Sequence, residues 1–223
     1  MRTGSQSAQR SGLPRAGPRP RRWRGDAGAA LAESAMVLPL FMVMVFAILD
    51  FGLLFKDYLT VSNGVRLGAR VGSTAADGSS ADYDILQAIK RGTSATPSGN
   101  IIRVVVWKAT GPTDTVPAGC AAGTATAGTG SPLWTGACNV YTPADFAWTK
   151  AQFDCNIATS PGPADYNWCA TARNAAVADN SGSGPDYLGV WMKFSHPFVT
   201  GMFGSTKVFT DYIILKIEPQ SMT

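Results

Sequence analysis

Hydrophobic and polar positions along this chain fall into three regimes. From Ser34 to Leu49 sixteen residues carry no charge, and extension to Phe55 adds only Asp50. At ~1.5 Å per residue a helix over 34–55 would be about 33 Å long, enough to cross a hydrocarbon core of about 30 Å. Pro39 near its start predicts a kink rather than a stop, because neighbouring groups in a membrane helix satisfy the freed carbonyl. The second regime keeps a helical period but becomes amphipathic. Leu54, Tyr58, Val61, Val65 and Ala69 recur every three or four residues, while Lys56, Asp57, Arg66 and Arg70 fall off that stripe. Gly72, followed by Ser73 and Thr74, predicts the helix end. The pattern thus predicts one helix from about Ala29 to Val71, its first half in lipid and its second half covered by a folded domain.

The third regime is short and mixed. Asp82–Arg91 predicts a helix, with acids in the first turn and Lys90–Arg91 in the last, as the macrodipole favours. Ile101–Ala109 is rich in β-branched residues, Tyr187–Ser195 alternates, and Lys207–Ile217 repeats that texture. These predict three strands. Residues 110–186 are dense in Gly, Ala, Thr, Pro and Asp, with apolar pieces around Phe146–Phe153. The expected class is α+β: a long N-terminal transmembrane and amphipathic helix packed on a small antiparallel sheet of about three strands, with a long disulfide-tied loop insertion.

Cysteines sharpen the last element. Cys120, Cys138, Cys155 and Cys169 all lie downstream of the span, within the insertion. An even count in a loop-rich region predicts disulfides in an oxidising compartment. Nearest-neighbour pairing, Cys120–Cys138 with Cys155–Cys169, is the expectation among three connectivities. There is no CxxC pair, and the single histidine, His196, cannot complete a Cys₂His₂ zinc site. No metal or cofactor is expected.

The net charge of +4 is unevenly distributed. Before Ala27 stand seven arginines against one acid, Asp26, so the remainder of the chain is slightly acidic. Such a tail beside an apolar span is a topology signal that predicts a cytoplasmic N-terminus and an extracytoplasmic C-terminal domain. No aromatic interleaving or reader module accompanies it, which argues against nucleic acid as a partner. The expected organisation is a basic cytoplasmic leader over 1–28, a transmembrane helix over 29–55, and an extracytoplasmic α+β domain over 56–223 that carries the 110–186 insertion.

Enzymatic signals are missing from the sequence. It has no GxSxG, no HExxH and no phosphate-cradling glycine loop. Asp82 and Asp84 would supply a carboxylate pair, but nothing organises them into a cleft. His196, before Pro197, reads as a turn residue. Arg66 and Arg70, four apart on one helix face, are expected to be structural, with phosphate headgroups or acids such as Asp82 and Asp84 within the contacts open to them. Asp50, 17 positions beyond Glu33, is expected among the outer headgroups.

Glu33 is the exception in the apolar run. A charge at the bilayer centre costs about 2.5–3.5 kcal/mol on insertion scales, and less towards the interface. It is therefore either an interfacial acid without a partner or a functional group. Its context is a basic leader, then Gly28, then Ala29, with Glu33 fifth from Ala29 at the head of an apolar helix. That is the layout of type IV prepilins and pseudopilins.

The wider segment, 28–73, resembles the TadE-like family of the tight adherence (Tad/Flp) pilus system. Members share a small-residue start, a glutamate, an LP-containing span, an acid-Phe-Gly element and an AxxGAR-like end. Here these read Gly28-Ala29-Ala30, Glu33, Leu38-Pro39, Asp50-Phe51-Gly52 and Asn63 to Arg70. The C-terminal stretch from His196 to Pro219 is similar to the family's closing turn and strand, so the resemblance covers about 28–109 and 187–219. It departs at Ser34, where pilin-like proteins of this system often carry an aromatic, and across 110–186.

The resemblance implies cleavage after Gly28 by a prepilin-type peptidase, leaving an amine at Ala29. That amine would pair with Glu33 of a neighbouring subunit, so Glu33 would set the stagger of docked helices. It implies a membrane-anchored minor pseudopilin or assembly factor whose partners are other pilin-like subunits and the inner-membrane assembly platform. The competing expectation is a single-pass tether for an extracytoplasmic binding or adhesion module outside any filament.

Overall fold

The computed structural model of the chain describes residues 24–123, 138–153, 165–177 and 184–219. It comprises two compact units, divided after Val45. In the first, helix α1 begins at Arg24 and continues unbroken across Pro39. Its residues from Gly28 onward are almost all exposed.

The second unit begins within α1, which ends at Ala75. Gly72 is therefore not the stop. Ser73 carries the helix further because its hydroxyl donates to the Lys216 carbonyl at 2.8 Å and its own carbonyl accepts the Glu218 N–H at 3.0 Å. Ala76 then turns the chain with a left-handed φ of 48°. Helix α2, Ala81–Gly92, has Asp82 and Asp84 in its first turn and Lys90 and Arg91 in its last. It buries Ile85, Leu86 and Ile89.

Glycines let the two helices touch backbone to backbone. A Cβ on Gly68 would lie 2.6 Å from Ile89, and one on Gly92 would lie 2.7 Å from the Cα of Gly64. Gly64, Gly68 and Gly72 recur every fourth residue of α1, so they form one stripe facing α2.

Strands β1 (Ile101–Ala109), β2 (Cys138–Tyr141), β3 (Tyr187–Pro197) and β4 (Thr206–Lys216) form one antiparallel sheet in the order β2-β1-β3-β4. Alternation divides its residues between two faces. Val104, Val106, Leu188, Val190, Met192 and Phe194 join Val61, Val65 and Ala69 of α1 and the apolar face of α2 in the main core. Val105, Trp107 and Trp191 form a second cluster with the Cys120–Cys138 disulfide. Trp107 stands opposite Gly189, where any Cβ would meet the indole at 2.3 Å.

The α+β class, the long helix and three of the strands match the expectation. The insertion differs from it, because 110–186 contributes the fourth strand and a buried polar lock as well as loop. Asp82 sits at the lock's centre, wholly buried. Asn139 and Tyr141 donate to its carboxylate at 2.7 and 2.6 Å, and Arg173 forms an ion pair with it. Asn139 also bonds Trp168 in both directions, accepting from its N–H and donating to its carbonyl, each at 2.9 Å. Asp82 is thus a structural anchor for the insertion. Cys169 is disulfide-bonded too; its expected partner, Cys155, lies outside the described residues.

Candidate assembly helix and the polar anchor at its exit

The first candidate site is the apolar part of α1. It is one helix long and apolar enough to cross a membrane. A helix that is apolar on all sides and exposed in the isolated chain must be covered by lipid or by other helices. Gly28 and Ala29 lie in its first turns, both exposed, and a Cβ on Gly28 would meet nothing within 4 Å. Glu33 is exposed on the same helix and makes no ion pair among the described residues. The hydroxyl of Ser34 donates to the Ala30 carbonyl one turn back, at 2.8 Å. That bond satisfies the hydroxyl within the helix, so Ser34 is tolerated in apolar surroundings.

The second candidate site begins at Asp50, where the uncharged run ends. Its side chain is wholly buried, with protein donors around its carboxylate. The carboxylate accepts the Val199 and Thr200 N–H groups at 3.1 and 3.4 Å and the Thr200 hydroxyl. Two helical turns on, on the same face, Asp57 accepts the Thr96 hydroxyl at 3.1 Å and meets His196 Nδ1 at 2.7 Å. His196 is a buried residue of β3, paired across the sheet with Lys207, and not a turn residue.

These two carboxylates bolt α1 to the β3–β4 hairpin and to the connection between α2 and β1. A buried carboxylate is tolerated when protein donors replace its water, and both have them. In the sequence, their spacing of seven on one helix face was the available signal; by pattern alone Asp57 only falls off the apolar stripe. Arg66 and Arg70 line an open cleft with Lys216 and Glu218. They do not reach Asp82, which Arg173 occupies. Among the described residues no three His, Cys, Asp or Glu side chains are placed to hold a metal ion.

The match to known proteins is confined to the helix. No curated protein and no solved structure matches the chain. The family described as TadE-like protein matches residues 28–70, which are Gly28, Glu33, the apolar run, both anchoring aspartates and the first two glycines of the α2-facing stripe.

Proposed function

We propose that the chain is a membrane-anchored minor pseudopilin or assembly factor of a Tad-type pilus. The TadE-like match points to pilus assembly. The observation that carries the finer reading is Glu33, exposed one turn beyond Gly28–Ala29 on an otherwise apolar, uncovered helix. In lipid an unpaired carboxylate is costly, and an amine at Ala29 of a neighbouring subunit would relieve it. The arginine-rich leader keeps the N-terminus in the cytoplasm and sends the 56–223 domain across the membrane. Its partners are other pilin-like subunits and the inner-membrane assembly platform, with a prepilin-type peptidase acting after Gly28.

Intact mass and N-terminal sequence of the protein from its native membrane test this, beside Gly28→Leu. The space around Gly28 leaves the fold unaffected by that change. A mature chain starting at Ala29, lost in the variant, supports a processed subunit. A retained leader removes Glu33 from subunit docking and favours the tethered binding module.

A further inference from the structure

The turn between β3 and β4 has the wrong surface for a water-exposed loop. Turns favour Gly, Pro, Asn, Asp and Ser, but residues 198–204 of this one read FVTGMFG. Val199 is 76 % exposed, and Met202 and Phe203 are also exposed. Gly201 and Gly204 take left-handed φ of 70° and 103°, which lets the turn close tightly.

Five of the seven backbone N–H groups of the turn are bonded within the protein. The Phe198 N–H donates to the Ser205 carbonyl at 3.1 Å, and the Gly204 N–H to the Gly201 carbonyl at 3.3 Å. Val199 and Thr200 donate to Asp50, and Met202 donates to the Thr200 hydroxyl at 3.3 Å. Such closure suits a turn entering the edge of a bilayer, where polar groups must be satisfied within the protein.

Position supplies the occupant. The turn is bonded to Asp50, the residue that ends the sixteen-residue uncharged run, and the Phe203 ring packs on Phe51 at 4.9 Å. Phe51 is exposed beside it and Phe55 is exposed one helical turn on, and Lys56 and Lys207 follow within a few residues of each apolar group. Aromatic and long apolar side chains backed by lysines are the composition of a protein edge at the headgroup boundary.

We propose that the β3–β4 turn is a second membrane contact: Val199, Met202 and Phe203 insert into the outer interface of the bilayer that α1 crosses. The inference rests on the reading of α1 as membrane-inserted. Asp50 then has a purpose beyond packing, since it fixes the turn at the depth where the helix leaves lipid. With two contacts, the domain's tilt on the membrane is set, which a single helix would leave free.

The test uses full-length protein at low density in phosphatidylcholine vesicles. Single cysteines at Val199, Val43 and Val177 each carry an environment-sensitive fluorophore, and nitroxide lipids labelled at shallow or deep positions serve as quenchers. Val177 is 71 % exposed and serves as the aqueous control. The proposal predicts blue-shifted emission at 199 lost to shallow nitroxides, loss at 43 to deep nitroxides, and no loss at 177. Loss at 43 without loss at 199 overturns the turn's insertion and leaves the helix reading intact. No loss at 43 removes the helix reading and the inference with it. Emission at 199 that shifts only at high protein density, without quenching, assigns the surface to a second copy and overturns the lipid contact.

Discussion

Asp57 on α1 and His196 near the end of β3 lie 139 residues apart in sequence and meet side chain to side chain at 2.7 Å. The same carboxylate accepts the Thr96 hydroxyl, so one helical residue ties together the end of β3 and the approach to β1. Removing it leaves two buried groups without their partner. Asp57→Ala should therefore cost about 2–3 kcal/mol, since an unsatisfied buried group costs about 1–3 kcal/mol. Denaturant unfolding of the full-length protein in micelles, followed by tryptophan near-ultraviolet circular dichroism, measures this. An unchanged midpoint would show that the pair is dispensable.

The helix-facing glycines give a prediction opposite to helix propensity. Alanine in place of helical glycine ordinarily stabilises by about 1 kcal/mol. Gly52→Ala, where a Cβ would meet nothing within 4 Å, should follow that rule or be neutral. Gly92→Ala should instead destabilise by about 1–3 kcal/mol, because its methyl would meet the backbone of Gly64 and overpacking costs that much. Gly92→Ala should lower the melting temperature and Gly52→Ala should not.

Asp165 makes stability depend on pH. Burial, reinforced by the negative charge of Asp82, pushes its carboxyl up to about 8, against hydrogen bonds from its own N–H and that of Ala170. The folded state thus holds a proton that the unfolded chain releases near the ordinary value of 3.8. Between those values the native state binds more protons, so this group's contribution falls as pH rises from about 4 to about 8. Asp165→Asn keeps the shape without the titration. Relative to the native sequence, it should gain stability progressively over that window and level off above it. A constant difference from pH 4 to 9 would show that Asp165 does not titrate there.

The Cys120–Cys138 bond closes a loop of 18 residues over the second sheet cluster. Loop-closure entropy for that length is about 3 kcal/mol. Cys120→Ser with Cys138→Ser should lower the unfolding free energy by about that amount. Because Cys138 opens β2, hydrogen exchange should rise first at Asn139–Tyr141 and leave the β3–β4 pairing protected. Uniform loss across the sheet would mean that the bond supports the whole domain.

The sequence by itself determined the elements whose signal is local. The membrane-length helix is a sum of apolar residues, and its amphipathic continuation is a period of three or four. Strands β1 and β4 are stretches rich in β-branched residues, and β3 was legible from its alternation. The TadE-like character of 28–70 was legible for the same reason, since its marks sit along a single helix. Only the tertiary structure decided the rest. The burial of Asp50 and Asp57 was not legible, because a carboxylate's burial depends on its donors, and those lie up to 150 residues away. The same holds for Asp82, whose partners come from β2 and from Arg173, 91 residues on. Strand β2 has four residues and little pattern of its own; it exists because β1 presents an edge to pair with. Gly64, Gly68 and Gly72 acquired meaning only when α2 was laid against them, since the absence of a side chain matters where another backbone must come close.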